Sequence, residues 1–179
     1  MRDSRSNKAV LVAHCLLNQN SVVLGRARRS GMVSELVEEL VKEGVGVVQL
    51  PCPELIHFGI KRFWQVREQM DSVGFRETCK KLANEVVKLV RELEKGGVEI
   101  LGVIGVKGSP SCGVTEVNSG DWAGPPQEAK EKRRVPGMGI FMEELSWLLE
   151  EVPFIDWDWD DLDGSLKEVR SLLRGQLGG

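Results

Sequence analysis

Residues 98–113 decide the fold: Val98-Glu99-Ile100-Leu101-Gly102-Val103-Ile104-Gly105-Val106, running directly into Lys107-Gly108-Ser109-Pro110-Ser111-Cys112-Gly113. The first nine form the most apolar run in the chain, and their near-continuous Val, Ile and Leu content predicts a strand buried on both faces. The seven that follow hold two serines, a proline, a cysteine and two glycines. That set makes a poor helix or sheet and a good tight loop. Loops at the ends of buried strands tend to carry function. Taken alone, the stretch fits equally well a structural turn around a half-buried cysteine. The balance shifts because a buried strand followed by a cysteine occurs three times.

Working outward, residues 9–13 read as a first strand ending at His14-Cys15, and residues 45–50 as a second, stopped by Pro51-Cys52-Pro53-Glu54. Between them lie a polar, irregular segment (16–31) and a helix over 30–43, in which Val33, Leu36, Val37, Leu40 and Val41 recur at helical spacing before Gly44. A short helix is predicted over 63–70. A long one follows over 75–94, with Phe75, Cys79, Leu82, Val86, Leu89 and Leu93 on one stripe. Beyond the serine loop, residues 118–139 are rich in Gly, Pro and charge; a connector that long suggests a lid or substrate loop. An amphipathic helix (140–149), an edge strand (153–159) and a closing helix (166–173) complete the chain. Trp157 and Trp159 alternate with Asp156, Asp158 and Asp160 and read as structural.

Strands alternating with helices predict a single α/β domain over residues 1–179: a Rossmann-like, mostly parallel sheet flanked by helices. In such sheets ligands bind beyond the carboxyl ends of the strands, where Cys15, Cys52 and Cys112 would meet. Cys79 sits on an apolar helical stripe and reads as a small core residue.

A chain of 179 residues suits one well-filled core. Its net charge of -3 gives no overall attraction to nucleic acid or an anionic membrane. Two basic clusters, Arg26/Arg28/Arg29 and Lys132/Arg133/Arg134, are either solvated surface charge or holders of a phosphate. No apolar run approaches the roughly 20 residues of a membrane span, and the start of the chain is too polar for a signal peptide. The expectation is a cytoplasmic protein whose thiols stay reduced, so that its cysteines bind metal or do chemistry.

Three thiols without a CxxC pair suit a structural zinc site poorly, although His14 or His57 could supply a fourth ligand. Both histidines also fit plain structural roles. A 4Fe–4S cluster takes thiolates as its normal ligands, and with three of them one iron stays open to substrate.

Three segments also resemble, in order, the motifs of the thiouracil desulfidase family: His14-Cys15-Leu16-Leu17-Asn18-Gln19-Asn20, Leu50-Pro51-Cys52-Pro53-Glu54 and Gly108-Ser109-Pro110-Ser111-Cys112-Gly113. The first has the His-Cys-x-Leu-Asn-x-Asn form of a related branch. The likeness runs from about residue 8 to 147 and includes Gly137-Met138-Gly139-Ile140-Phe141-Met142-Glu143-Glu144-Leu145. The resemblance implies an oxygen-sensitive 4Fe–4S cluster on Cys15, Cys52 and Cys112, and removal of sulfur from a thiolated nucleobase or nucleotide. It further implies that the unique iron takes the thiocarbonyl sulfur and that Glu54 activates water as general base. The family's catalytic serine maps onto Ser109, with Ser111 as the alternative. Better-known members have a glycine where Asn18 stands and a nearby Arg-Tyr-Asp-Gly stretch; this chain contains no tyrosine.

The expected partner is therefore a small thiolated molecule, with neither a nucleic acid polymer nor a membrane. Rival readings are a non-catalytic 4Fe–4S sensor or sulfur carrier, and a zinc-bound nucleotide-binding module. Glu54 alone would also fit as an acid in a helix first turn beside Pro53.

Overall fold

In the computed structural model, which describes residues 3–129 and 131–176, the apolar runs become strands that all point the same way. β1 (Lys8–Val12) leads through the one-turn α1 (His14–Leu17) to α2 (Ser34–Lys42) and β2 (Gly46–Gln49). Next come α3 (Pro53–Phe58), α4 (Arg67–Met70) and the long α5 (Val73–Lys95), which returns the chain to β3 (Glu99–Val106). β4 (Glu116–Ser119) and β5 (Arg133–Pro136) form an antiparallel hairpin outside the main sheet. α6 (Ile140–Leu148), β6 (Phe154–Trp157) and α7 (Leu162–Leu173) complete the fold.

The main sheet has the order β2-β1-β3-β6 with every neighbouring pair parallel. The two central strands are apolar on both faces, and Val10, Leu11, Val12, Val103 and Ile104 are fully buried. Helices cover the sheet, with α5 packed on α6 and α2 on α7. This is the α/β, mostly parallel architecture predicted from the alternation of elements. Among the described residues no helix is long and apolar enough to cross a membrane.

The structure corrects several local expectations. α2 starts at Ser34 rather than residue 30, because the backbone before it is engaged elsewhere: Gln19 N donates to Gly31 O (2.7 Å) and Val33 N to Leu16 O (2.9 Å). The inward stripe of α5 is Phe75, Cys79, Ala83, Val86 and Val90, whereas Leu89 is 51% exposed. The strand stop at 51–54 runs on into a helix from Pro53, whose missing N–H costs nothing in the first turn, so Glu54 is indeed a first-turn acid. Only Arg67–Met70 of the short helix predicted over 63–70 forms. α7 begins four residues earlier than predicted, where Asp161 caps it by accepting from Gly164 N (2.9 Å). Residues 118–139 are no plain loop: their ends belong to the β4–β5 hairpin, in register with Val117 opposite Val135. Four-residue strands carrying Glu, Asn and two arginines leave no apolar alternation to recognise.

Candidate active site

The chain leaves β1 for β2 on one side and returns to β3 on the other, so the sheet has a switch point between β1 and β3. A crevice at the carboxyl ends of the strands follows from that topology. A cavity of about 260 Å³ lies there, and Cys15, Cys52, Cys112, Glu54, Ser109 and Ser111 all line it.

Each cysteine is presented by a different device. Cys15 stands in the turn of α1 after β1, and the buried Gln19 amide fixes that turn by donating to Cys15 O (2.7 Å). Cys52 is the N-cap of α3, its sulfur accepting from Leu55 N at 3.4 Å. Cys112 closes the loop after β3, whose backbone folds back so that Val106 N donates to Cys112 O (2.8 Å). That return needs Gly105, since a Cβ there would lie 2.3 Å from Cys112 O. Gly139 presses on the same loop from α6: a Cβ would fall 2.4 Å from the Ser111 carbonyl carbon. From β6, Asp156 holds the residues after Cys112, accepting from Val114 N (2.9 Å), Thr115 N (2.7 Å) and the Thr115 hydroxyl (2.7 Å).

Burial raises all three thiols. Cys15 is pushed up to about 12, by burial first and then by the neighbouring Cys52 and Glu54. Cys52 rises through burial and Glu54, and Cys112 well above the usual thiol range through burial, Cys52 and Cys15. The Arg62 charge works against this rise at Cys15 and Cys52. The mutual effects place the three sulfurs within one another's field.

Glu54, in the first turn of α3, reaches across to the β3 loop. The Ser111 hydroxyl donates to Glu54 Oε1 at 2.6 Å and lies 3.5 Å from Cys112 Sγ. Ser109 Oγ is 3.3 Å from Ser111 Oγ and accepts from Cys112 N (3.0 Å). Ser111 therefore contacts the carboxylate, while Ser109 orders the loop behind it. The other Glu54 oxygen accepts from Arg62 Nε at 3.3 Å.

The two basic clusters converge on the cavity from opposite parts of the sequence. Arg26, Arg28, Lys132 and Arg134 line it. Arg26 and Lys132 each sit 5.0 Å from the Trp64 ring centroid, within cation–π range. Burial, Arg26 and Arg134 lower the Lys132 pKa. Arg134 is paired with Asp160 (3.0 Å); among the described residues no carboxylate lies within ion-pair distance of Arg26, Arg28 or Lys132.

The two histidines and Cys79 lie elsewhere. His57 Nδ1 is 2.8 Å from Thr78 Oγ1 and its ring packs on Phe58 and Phe75. His14 loses basicity through burial and, like His57, is not part of the cavity wall. Cys79 is fully buried in the core. Asp71 pairs with Arg67 and Arg76, and Glu68 accepts from Ser119 Oγ (2.5 Å) and Gly120 N (3.0 Å). Trp64 lines the cavity and Trp122 packs edge-on against it. Trp157 is core, but Trp159 lines the cavity and carries Arg29 over its ring at 5.6 Å. Sequence reasoning missed Arg62, a single polar residue in no motif, and gave no role to Gln19, quoted only as part of the first motif, or to Asp156, read only as part of a structural alternation. Among the described residues no three His, Cys, Asp or Glu side chains are grouped to hold a single metal ion.

Fold and cavity together define an α/β protein with a thiol-walled site at a parallel-sheet switch point. Within that class, the model of the family described as "Putative 2-thiouracil desulfurase" matches residues 7–132, and the chain belongs to that family. An uncharacterized protein of Methanocaldococcus jannaschii is 40% identical over 110 residues, spanning 62% of this chain and 70% of that protein. The solved structure of a 4Fe–4S-dependent thiouracil desulfidase, TudS, has the same fold: TM-score 0.54 at 22% identity, covering 90% of this chain and 97% of that one.

Proposed function

We propose that this protein is an iron–sulfur-cluster-dependent desulfidase that removes sulfur hydrolytically from a thiolated nucleobase or nucleotide. The observation that carries this reading is the 2.6 Å bond from Ser111 to Glu54, made in a cavity that Cys15, Cys52 and Cys112 also line. Family membership and the cluster dependence of the TudS structure point the same way.

The donor set fits a cluster. Three soft sulfurs line one cavity, and thiolates are the usual ligands of 4Fe–4S centres. A single zinc ion, with sulfur ligands at about 2.3 Å, would need the donors drawn tightly together, and no such group exists among the described residues. Cys15, Cys52 and Cys112 would be the residues to hold a cluster here. Because burial holds the thiols protonated, loading would release protons as the sulfurs become thiolates. When bound, a three-thiolate cluster supplies one iron free of protein ligands, a Lewis acid for a thiocarbonyl sulfur.

The chain's own residues do the rest. Glu54, oriented by Ser111, takes a proton from water as general base. The water oxygen bonds to the ring carbon, the carbon–sulfur bond breaks, and sulfur leaves as hydrosulfide. Overall a thiocarbonyl and water become a carbonyl and hydrogen sulfide, with no electrons exchanged. Ser109 and Ser111 supply hydroxyls to charge developing at the reacting centre. Arg26 and Lys132 over Trp64, with Arg28 in the same cavity wall and no carboxylate paired to the three among the described residues, suit a base carrying a phosphate.

The test is sulfide release by anaerobically reconstituted protein from 2-thiouracil, 4-thiouracil and their nucleoside monophosphates. Release that disappears in Glu54→Gln while the cluster is retained supports the reading. No release from any substrate by protein holding a full cluster overturns it.

A further inference from the structure

Arg62 lies in no motif and in no regular element, yet its side chain is only 5% exposed. A guanidinium keeps its charge at every physiological pH, so burying one is costly unless its donors are satisfied. All three nitrogens are used: Nε donates to Glu54 Oε2 (3.3 Å), Nη1 to Gly59 O (3.1 Å) and Nη2 to Ser21 O (2.9 Å). Two of these acceptors are neutral carbonyls. The third is a carboxylate already shared with Ser111. Arg62 also lines the cavity itself.

The acceptors also belong to the segments that carry the ligating thiols. Ser21 ends the turn that follows Cys15, and Gly59 ends the helix that Cys52 caps. One planar fork therefore joins the Cys15 segment, the Cys52 helix and Glu54, in the wall of the cavity that both cysteines line.

We infer that Arg62 is the positioning residue of this site: it sets the orientation of Glu54 and supplies the fixed buried positive charge beside Cys15 and Cys52. The inference rests on the desulfidase reading for its kinetic half and on the cluster for its electrostatic half. Lysine could replace the charge but not the fork, because an ammonium cannot meet three acceptors in the same plane.

Arg62→Met and Arg62→Lys, reconstituted anaerobically, separate the two roles through the cluster's reduction potential and through kcat and KM measured apart. The potential reports local charge whether or not the reaction uses electrons. Arg62→Met should shift it to a more negative value, and kcat per cluster should fall about 10–100-fold with little change in KM. Arg62→Lys should restore most of the potential and little of kcat. The unfolding temperature of the cluster-free variants gives the structural baseline. Wild-type potential and kcat in Arg62→Met, with only the unfolding temperature lowered, would overturn the inference. A loaded wild type that releases no sulfide would sink the desulfidase reading instead, and the potential of Arg62→Met would still decide whether Arg62 is the site's countercharge.

Discussion

Ser111 donates its hydroxyl to Glu54 across 2.6 Å, joining the loop after β3 to the first turn of α3 over 57 residues of sequence. With Ser111 only 1% exposed, the bond is shielded from water and its geometry is set by the fold. It turns a helix-terminal acid into an oriented one.

Glu54→Gln should lower kcat by about 10²–10⁴-fold, the range for removing a general base, with KM and iron content near wild type. Ser111→Ala should cost about 10–100-fold, since Glu54 keeps Arg62 but loses its hydroxyl partner. Steady-state sulfide release normalised to iron content checks both.

Cys15→Ala, Cys52→Ala and Cys112→Ala should each abolish the broad visible absorption of reconstituted protein. Cys79→Ala should keep that absorption and lose stability, because Cys79 fills the α5 stripe away from the cavity. Iron and sulfide quantification beside the spectrum distinguishes the four.

Arg26→Ala and Lys132→Ala should raise KM for a thionucleoside monophosphate several-fold and leave KM for the free thiobase unchanged. Both cations sit on Trp64 without a carboxylate partner among the described residues. Parallel kinetics on the two substrates give the answer directly.

Gly139→Ala should destabilise the protein by about 1–3 kcal/mol, the usual cost of overpacking. Its Cβ would meet the Ser111 carbonyl carbon at 2.4 Å and Cys112 N at 2.7 Å, neither of which is a movable side-chain tip. Denaturant unfolding measures the cost, and cluster content should fall with it.

The Arg29 guanidinium bonds Glu35 and holds its carboxyl down at about 2, against an ordinary value of 4.5. A depressed carboxyl stabilises the fold above the unfolded value, so the pair's contribution is complete above about pH 4.5 and is lost as pH falls toward 2. The stability gap between wild type and Glu35→Gln should be constant near neutrality and close over that interval. Unfolding midpoints measured across pH test the sign.

Much of this arrangement is legible in the sequence because three strand-end cysteines need only strand placement and the carboxyl-end rule. β1, β2 and β3 announce themselves through apolar runs, and Cys15, Cys52 and Cys112 follow each one. The β4–β5 hairpin does not, since its strands are short and polar and are recognised through pairing rather than composition. Nor does Ser111 declare itself over Ser109. Two serines two apart on one loop differ in which of them points at Glu54, and that depends on how Gly139 and Asp156 brace the loop. Arg62 is silent for the same reason: its partners, Ser21, Glu54 and Gly59, meet only after folding.

Placing the three sulfurs at the ends of three separate strands would also, on the proposed reading, impose an order on folding and cluster loading. A CxxC pair can seize metal while the chain is still emerging, whereas no short fragment of this one holds two of its thiols. The chain must pass β3 and reach Cys112 before the pocket has its third thiol, so a cluster held by all three would, on the proposed reading, load only onto the native topology. On the proposed reading, chains truncated before Cys112 would stay without a cluster and colourless.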